Sequence, residues 1–454
     1  MKRIIEDIVM QFKHDVGRVF EPAFIISTCH SLGHVWRERK LGPVATIHGF
    51  LLQILHGNTA CTAVPRLLGV AVCAEAYGQA RSRLPIELLQ QLLAKLCSRL
   101  NGYVNDAERW LGHRVWVIDG SSCSMADTPA LQQAFGQPTN QAAGCGFPVA
   151  HLMALFHMQT GMLLRIAAAP MRTHDQTQAK RMHDAFAAGD VVLADRGFCS
   201  YWHIAQLSKA GVHAVFRLHQ NQTVSFRKGR MHVPPSPPFP RRPDLRGLPT
   251  TRWVRWVGPR DQIVEYHKPS GRPRWMSEEL WAAVPSTLQL RELRYSIQVR
   301  GSRTSEVTLV TTLVNHATYP AADVAALYAR RWEVETNLRH LKQTLGMDVL
   351  RTKTVDGVEK ELVMFAIAYN LVRLVMLESA SRQGVDPDQI SFADSLSWIR
   401  VAGQGAQLSQ IRVNRWRPGR TEPRVIKRRP KQFPLMTKPR TQFRQSLLQQ
   451  TLTT

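Results

Sequence analysis

Two short apolar segments, each ending in an aspartate, indicate that this chain folds around a buried sheet. Residues 114–119 read RVWVID and residues 190–195 read DVVLAD. Short continuous apolar runs before turn signals are typical of buried parallel strands. Between them come a hairpin pattern, turning near Thr160-Gly161, and the helical stretch TQAKRMHDAFAAG; after them come the helix pattern YWHIAQLSKAG and the strand pattern VHAVFRL. This alternation predicts an α/β core with a mixed sheet.

Periodicity and composition divide the chain into five parts. Helical spacing over residues 1–105 predicts an N-terminal helical domain, which is either a helix-turn-helix unit for DNA ends or a purely structural bundle. The α/β pattern occupies residues 106–218 and resumes over residues 305–403. Prolines and short strand patterns fill residues 219–304, so we expect a β-rich insertion that lies outside the core sheet. Residues 404–454 form a basic tail, with 12 Lys or Arg against one acidic residue.

The charge balance indicates a polyanionic partner. The chain has 59 Lys and Arg against 34 Asp and Glu, which gives a net charge of +25. Such an excess favours phosphate contacts and counterion release, and nucleic acid is the partner that fits best. The basic tail is expected to be an arm that contacts DNA, although a solvated tail without a function would have the same composition.

Cysteine usage and hydropathy indicate an intracellular protein. The seven cysteines are odd in number and never spaced as C-x-x-C, which fits reduced thiols and argues against a zinc finger or a disulfide framework. The N-terminal sequence MKRIIEDIVMQFKHDVG lacks the apolar stretch of a signal peptide. No run approaches the roughly 18 uncharged apolar residues that span a bilayer, so no membrane association is expected.

The aspartates that end the two apolar segments are candidate metal ligands. Asp119 precedes the letters GSS, and Asp195 precedes the letters RGF. Both are predicted at the carboxyl ends of strands, the edge at which open α/β sheets bind ligands, and carboxylates fixed there can hold Mg²⁺. Taken alone, an aspartate at such a position is also a common way to begin a turn.

A long helix with one polar side is predicted from Pro320 to Leu345. Proline in the first turn opens it, and Gly346 stops it. Four polar residues fall within an arc of roughly 60° on its surface: Tyr328, Arg331, Glu335 and Lys342. A separate apolar stripe consists of Leu327, Val334, Leu338, Leu341 and Leu345. The helix is expected to bury the stripe and turn the polar residues toward a shared site, although Arg331 and Glu335 also have the spacing of a surface ion pair.

Other polar residues have patterns that favour structural roles. Glu333 lies about 160° around the helix from Glu335. Three aspartates follow loops or lie in a helix, with no strand end to fix them: Asp127, Asp175 and Asp184. Three histidines are too dispersed for a zinc site: His151, His157 and His174. Four tryptophans of the insertion are expected in its core, with any one of them able to stack on a flipped base: Trp253, Trp256, Trp275 and Trp281.

The polar residues of the long helix resemble a family signature. Tyr, two residues, Arg, three residues, Glu, six residues and Lys is the pattern of insertion-sequence family four transposases, a branch of the DDE class. The DGS at Asp119 and the DRGF at Asp195 are similar to that family's first two acidic motifs, in the same order and with an insertion before the third. The likeness covers roughly residues 110–375 and implies an RNase H-like catalytic core, which the order of strands and helices also fits.

The resemblance implies an enzyme that uses two Mg²⁺ ions, for which Mn²⁺ can substitute. The catalytic and metal-binding residues would be Asp119, Asp195 and Glu335, with Asp119 bridging both ions. The residues that hold phosphates at a transposon end would be Tyr328, Arg331 and Lys342. This role fits their chemistry, since Arg binds phosphate in a bidentate manner and Lys acts as a point charge.

The resemblance also implies a cut-and-paste transposase that cleaves terminal inverted repeats and joins them to target DNA. Its partner would be double-stranded DNA, bound by a homodimer that pairs the two ends, in the bacterial cytoplasm and associated with the nucleoid. Two other functions remain open: an RNase H-like endonuclease without strand transfer, and a domesticated DNA-binding protein without catalysis. Simple hydrolysis would not require the Tyr, Arg and Lys beside Glu335, and a non-catalytic protein would not require all three acids.

Overall fold

The computed structural model describes residues 20–37, 39–103, 109–219, 222, 224–230, 251–273, 275–297, 306–401, 408–414 and 435–453. The proline-rich loop expected at the start of the insertion lies outside the described residues. So does about half of the basic tail, including residues 415–434.

A nine-stranded mixed sheet lies at the centre of the described part of the chain. Its strands are β1 (Val115–Ser124), β2 (Val149–His157), β3 (Leu163–Pro170), β4 (Val191–Ala194), β5 (His213–Arg217), β6 (Thr251–Gly258), β7 (Asp261–His267), β8 (Thr287–Ser296) and β9 (Glu306–Thr311). Their order across the sheet is β3-β2-β1-β4-β5-β9-β8-β7-β6. The β1–β4 and β4–β5 pairs are parallel and the other neighbours are antiparallel. The predicted α/β class with a mixed sheet is confirmed.

Helices precede the sheet and pack against it. The N-terminal helices are α1 (Pro22–Ser31), α2 (Pro43–Leu55), α3 (Val64–Leu68), α4 (Ala74–Arg83) and α5 (Ile86–Asn101). Those between and after the strands are α6 (Pro129–Phe135), α7 (Asp175–Ala179), α8 (Tyr201–Lys209), α9 (Glu278–Ala282), α10 (Ala321–Ala329), α11 (Glu333–Arg339), α12 (Val355–Gln383), α13 (Phe392–Val401) and α14 (Arg440–Thr453). Of the predicted stretch TQAKRMHDAFAAG, only the start is α-helix, and a 3-10 helix (Lys180–Ala185) follows.

The N-terminal helices share their core with the sheet region. Helices α2 and α5 pack on α12, and a single buried cluster of apolar side chains includes residues from all of them. The fully buried Glu361 of α12 accepts hydrogen bonds from Asn58 Nδ2 (2.8 Å), Arg351 N (2.9 Å) and Thr352 N (3.0 Å). Such a carboxylate is costly to bury unless it is paired, so this network fixes the turn after α2 to the central helix. The predicted helices are present, but they do not have a hydrophobic core of their own.

The expectation that the insertion lies outside the core sheet is wrong. Strands β6, β7 and β8 extend the sheet, because Thr311 of β9 is paired with Val215 of β5 on one side and with Arg291 of β8 on the other. Strand β9 would otherwise present an unpaired edge, and β8 satisfies its backbone groups. Local sequence patterns do not show that β9 pairs with β5, because the whole insertion separates those two strands.

The predicted long helix is interrupted. A 3-10 turn (Arg330–Trp332) separates α10 from α11, and a π-helical turn (His340–Thr344) follows α11. The predicted limits hold, because Pro320 caps the start and Gly346, with φ of 87°, follows the end. The apolar stripe from Leu327 to Leu345 is buried as expected.

Helix α12 packs behind this segment. It is the one helix among the described residues long and apolar enough to cross a membrane. Its most apolar window is 94% buried inside the protein, as expected for the core helix of a globular fold.

Candidate active site

Asp119 and Asp195 lie where two parallel strands separate. The β1–β4 ladder ends with Ile118 opposite Ala194, and the next residues along the two strands are the aspartates. Strand β1 continues to Ser124, because it stays paired with β2, so the expectation that Asp119 ends its strand is wrong; Asp195 does follow the last residue of β4. Since neighbouring strands are about 4.8 Å apart, the two aspartates are neighbours at the carboxyl edge of the parallel strands.

The segment α10–α11 brings Glu335 to the same edge, with Arg331 between the acids. Arg331 Nη1 lies 3.6 Å from Asp119 Oδ2, and Arg331 Nη2 lies 3.5 Å from Glu335 Oε1. The side chain of Arg331 is 4% exposed and that of Glu335 is 51% exposed. The guanidinium is therefore enclosed, while the Glu335 carboxylate keeps access to water. This arrangement differs from a simple surface ion pair, because the cation is buried against a second acid.

The carboxylates have electrostatic properties suited to a cation. Burial raises the pKa of Asp119 to about 6; Arg331 and the N–H of Gly120 oppose that shift, whereas Glu335 and Asp195 add to it. Asp195 Oδ1 is buried and accepts no hydrogen bond from the described residues. A buried oxygen without a donor is costly, and carboxylate oxygens are the ligands that hard divalent cations prefer. The donor set therefore fits a divalent cation.

The side chains of Asp119, Asp195 and Glu335 are too far apart to bind one metal ion together. In the part of the chain that the structure describes, no three Asp, Glu, His or Cys side chains are close enough together to hold a metal ion. Arg331 lies between Asp119 and Glu335. A ligand set made of the three predicted acids would therefore require the exposed Glu335 side chain to move toward the aspartates.

Tyr328 and Lys342 lie on different sides of this group. The hydroxyl of Tyr328 donates to the carbonyl oxygen of Ala194 (3.3 Å), and burial raises the pKa of Tyr328 well above its ordinary value. Lys342 Nζ is 3.2 Å from Asp348 Oδ1, at the far end of β1. The π-helical turn that contains Lys342 alters the helical spacing on which the single polar ridge was predicted. Tyr328 and Arg331 therefore accompany the acids directly, whereas Lys342 pairs with an acid outside the predicted triad.

A cleft of about 470 Å³ opens beside the aspartates and contains residues that the sequence interpretation set aside. Asp119 and Asp195 line it together with His151, Asp175 and His219. The sequence pattern favoured structural roles for His151 and Asp175 and did not place either residue beside the acids. His151 Nε2 is 2.9 Å from Asp175 Oδ1.

The pairing of β2 with β1 could have indicated the position of His151, but not that of Asp175. His151 lies opposite Ser122 in the β1–β2 ladder, three residues beyond Asp119. Asp175 is the first residue of α7, which follows the return strand β3. The Thr160-Gly161 turn identifies β2 as the first strand of the hairpin, and pairing β2 with β1 would have placed His151 at the site. No local pattern would have placed Asp175 there.

The other residues assigned structural roles have partners away from the aspartates. Their partners are Arg330 for Glu333, Gln132 for Asp127, Arg165 for Asp184 and Thr160 for His157. In the insertion, Trp275 and Trp281 pack on a small apolar cluster, whereas Trp256 is 45% exposed with Lys228 Nζ 4.4 Å from its ring centre. None of these contacts tests which tryptophan stacks on a base.

A second groove lies on the N-terminal helices. Its volume is about 770 Å³, and basic and aromatic side chains contribute to its lining: His34, Trp36, Arg37, Arg39, Lys40 and Arg83. Among the residues that the structure describes, those that line this groove include no acid. Cations combined with aromatic rings are suited to a phosphate backbone and bases.

Comparison with known proteins gives a consistent set of relatives. A family model described as "Transposase DDE domain" matches residues 110–371. The chain is 24% identical over 389 residues to "Transposase InsG for insertion sequence element IS4" of Escherichia coli (strain K12), covering 81% of this chain and 79% of the relative. It is 18% identical over 401 residues to "Transposase for insertion sequence element IS231F" of Bacillus thuringiensis subsp. israelensis, covering 83% and 82%. The solved structure "Cryo-EM structure of piggyBac transposase synaptic complex with hairpin DNA (SNHP)" aligns with a TM-score of 0.40 and 11% identity, covering 91% of this chain and 87% of that one.

Proposed function

Because this chain belongs to the transposase DDE domain family, we propose that it is a cut-and-paste DNA transposase that cleaves terminal inverted repeats and joins them to target DNA. The observation that carries the proposal is the approach of Asp119, Asp195 and Glu335 to one edge of the sheet, around a buried arginine. The relatives are named transposases of insertion sequences, which supports the same activity.

The catalytic core is of the RNase H-like type in this proposal. The features that support it are the parallel strands β1, β4 and β5, the antiparallel hairpin β2–β3 beside β1, and acids at the carboxyl edge of β1 and β4. The domains would be the N-terminal helices (1–105), the two parts of the core (106–218 and 305–403), the insertion (219–304) and the basic tail (404–454).

The proposed metal ligands are Asp119, Asp195 and Glu335. Divalent metal ions are general in this family, and two Mg²⁺ ions, replaceable by Mn²⁺, would activate the attacking oxygen and stabilise the leaving one. Asp195 contributes a buried oxygen that lacks a donor, and Asp119 contributes a desolvated carboxylate. Arg331 offsets the repulsion among the acids before an ion is bound.

The other partner in this proposal is double-stranded DNA, bound by a homodimer on paired ends. Tyr328, Arg331 and Lys342 would contact phosphates near the cut. The basic groove on the N-terminal helices would hold the transposon end farther from it, and the net charge of +25 supports this extended contact.

The test is a gel assay on DNA that flanks the coding sequence, with cleavage and binding measured for each variant. Asp119→Asn, Asp195→Asn and Glu335→Gln should each lower cleavage by about a hundredfold or more and leave binding intact, because a neutral amide is a poor Mg²⁺ ligand of similar shape. Glu333→Gln is the matched control, since Glu333 is on the same helix and pairs with Arg330. Near-normal cleavage by one of the three variants would remove that residue from the metal site.

A further inference from the structure

We propose that Asp175, held by His151, is a positioning residue that fixes the distance between the two aspartate-bearing segments. This inference rests on the proposed function, since it concerns the same carboxylates. It adds a residue that lies outside the family signature and outside any strand end.

The Asp175 carboxylate packs against the glycine of each acidic motif. A Cβ atom at Gly197 would lie 2.7 Å from Asp175 Oδ2, and a Cβ atom at Gly120 would lie 3.3 Å from Asp175 Oδ1. Neither glycine has a positive φ, so a side chain at either position would be opposed by the nearby Asp175 carboxylate and not by the backbone conformation. One carboxylate therefore touches the residue after Asp119 and the second residue after Asp195.

Neighbouring hydrogen bonds fix the Asp175 segment to both sides. His151 Nε2 lies 2.9 Å from Asp175 Oδ1, and Gln178 Nε2 donates to the carbonyl oxygen of His151 (3.2 Å), which joins α7 to β2. Gln176 Nε2 donates to the carbonyl oxygen of Gly197 (3.4 Å), and Gln176 Oε1 accepts from Trp202 Nε1 (3.1 Å), which joins α7 to the turn after β4. Helix α7 thus bridges the two segments.

The geometry favours positioning over direct ligation of a metal. Adjacent residues of an extended strand point to opposite faces, so the Gly120 side that meets Asp175 is opposite the Asp119 side chain. Asp119 faces Arg331 on the segment α10–α11. Asp175 lines the same cleft as the two aspartates, but it contacts the backbone beside each of them, in the way that outer-shell partners orient metal ligands.

A double-mutant cycle with Gly197→Ala tests this proposal. Every atom within 4 Å of a Cβ at Gly197 belongs to Asp175, so the added methyl group would push the Asp175 carboxylate away from its position. Asp175→Ala removes that carboxylate, and the double variant leaves nothing for the methyl group to displace. If the contact between Asp175 and Gly197 positions the two segments, each single variant and the double variant should show the same loss of Mn²⁺ binding and cleavage.

The readouts are Mn²⁺ binding by calorimetry without DNA, and cleavage of end DNA by the full chain. Each single variant should weaken Mn²⁺ binding and slow cleavage about tenfold, and the double variant should be no worse than Asp175→Ala. Asp175→Asn keeps the shape and an acceptor for His151, so it should stay within about threefold of wild type. Matched controls are Gly78→Ala, where a Cβ would meet nothing within 4 Å, and Asp184→Ala, which pairs with Arg165 outside the cleft.

Different results separate this proposal from the proposed function. Fully additive defects, or a normal Asp175→Ala, would overturn the positioning role. An Asp175→Asn variant as defective as Asp195→Asn would also overturn it, because it would make Asp175 a metal ligand. Absence of Mn²⁺ binding in the wild-type chain, or unchanged binding in Asp195→Asn, would instead overturn the metal site itself.

Discussion

Arg331→Met removes the cation between Asp119 and Glu335 and keeps an unbranched side chain of similar length. Arg331 is 3% exposed, so the loss leaves the Asp119 carboxylate without its nearest positive charge in a desolvated place. The guanidinium carbon of Arg331 also lies 5.8 Å from the ring centre of Tyr328 and 5.1 Å from that of Trp332, so the substitution removes two cation–π contacts as well.

The expected cost follows from the distances. Breaking a well-formed buried ion pair costs about 3–5 kcal/mol, but the two contacts of Arg331 are long, at 3.6 and 3.5 Å, and Glu335 is half exposed. We therefore expect about 1–3 kcal/mol near neutral pH, the usual range for one buried group left unpaired. Since the entropy of unfolding grows with chain length, the melting temperature of a 454-residue chain should fall by roughly 1–3 °C.

The pH dependence identifies the cause. Burial raises the pKa of Asp119 to about 6 in the folded protein, above its ordinary value near 3.8, and loss of Arg331 raises it further. The pKa of Asp119 in the folded variant therefore lies above about 6, so Asp119 is protonated at about pH 5 and the unpaired charge disappears. We expect the melting temperature of Arg331→Met to lie below that of the wild type at about pH 7.5. The difference should be smaller at about pH 5. An equal difference in melting temperature at both pH values would refute this explanation. So would an effect of Arg331→Met that is as large in an Asp119→Asn background as in the wild type.

Three further predictions concern DNA grip, the tail and acid stability. Lys342→Ala should slow cleavage of end DNA about ten- to a hundredfold and have much less effect on nicking of unrelated DNA. Both substrates are measured in one mixture, with Asp348→Ala as control because Asp348 pairs with Lys342. Equal losses on both substrates would favour a general nuclease. Removal of residues 404–454 should weaken DNA binding and flatten the plot of log affinity against log salt, and an unchanged slope would show that its cations do not neutralise phosphates. Burial lowers the pKa of His183 to about 4 and that of His203 to about 3, so the unfolded chain takes up their protons first and stability should fall below about pH 6.5, by up to about 1.4 kcal/mol per pH unit for each histidine. Melting temperatures that stay constant from about pH 6.5 to about pH 4 would contradict the last of these.

The sequence predicted those parts of the site that depend on local pattern. The apolar runs before Asp119 and Asp195 identified the parallel strands β1 and β4, and their register makes the two acids neighbours. The spacing of Arg331 and Glu335 placed both on one side of a helix that faces the sheet. Each of these inferences needs only the helical periodicity of the sequence or the position at which an apolar strand ends.

The parts that were missed depend on long-range pairing. The insertion joins the core sheet because β9 pairs with β5, and no local pattern specifies a partner on the other side of the whole insertion. Asp175 reaches the site because α7 packs across two loops, and helical periodicity does not report such packing. The π-helical turn at Lys342 changes the helical offset that the prediction assumed.

The most direct measurement of the central claim is the sequence of DNA products formed by the purified chain with Mg²⁺, a fragment carrying both ends of its own element and a supercoiled target plasmid. The account predicts that both ends are joined through their 3′ hydroxyls at one plasmid site, flanked by a short direct duplication after repair, and that Asp195→Asn yields no such joints. Nicked or linear plasmid without joined ends would identify a nuclease. Bound but unaltered DNA would identify a DNA-binding protein without catalysis, and either result would contradict the proposal that this chain is a cut-and-paste transposase.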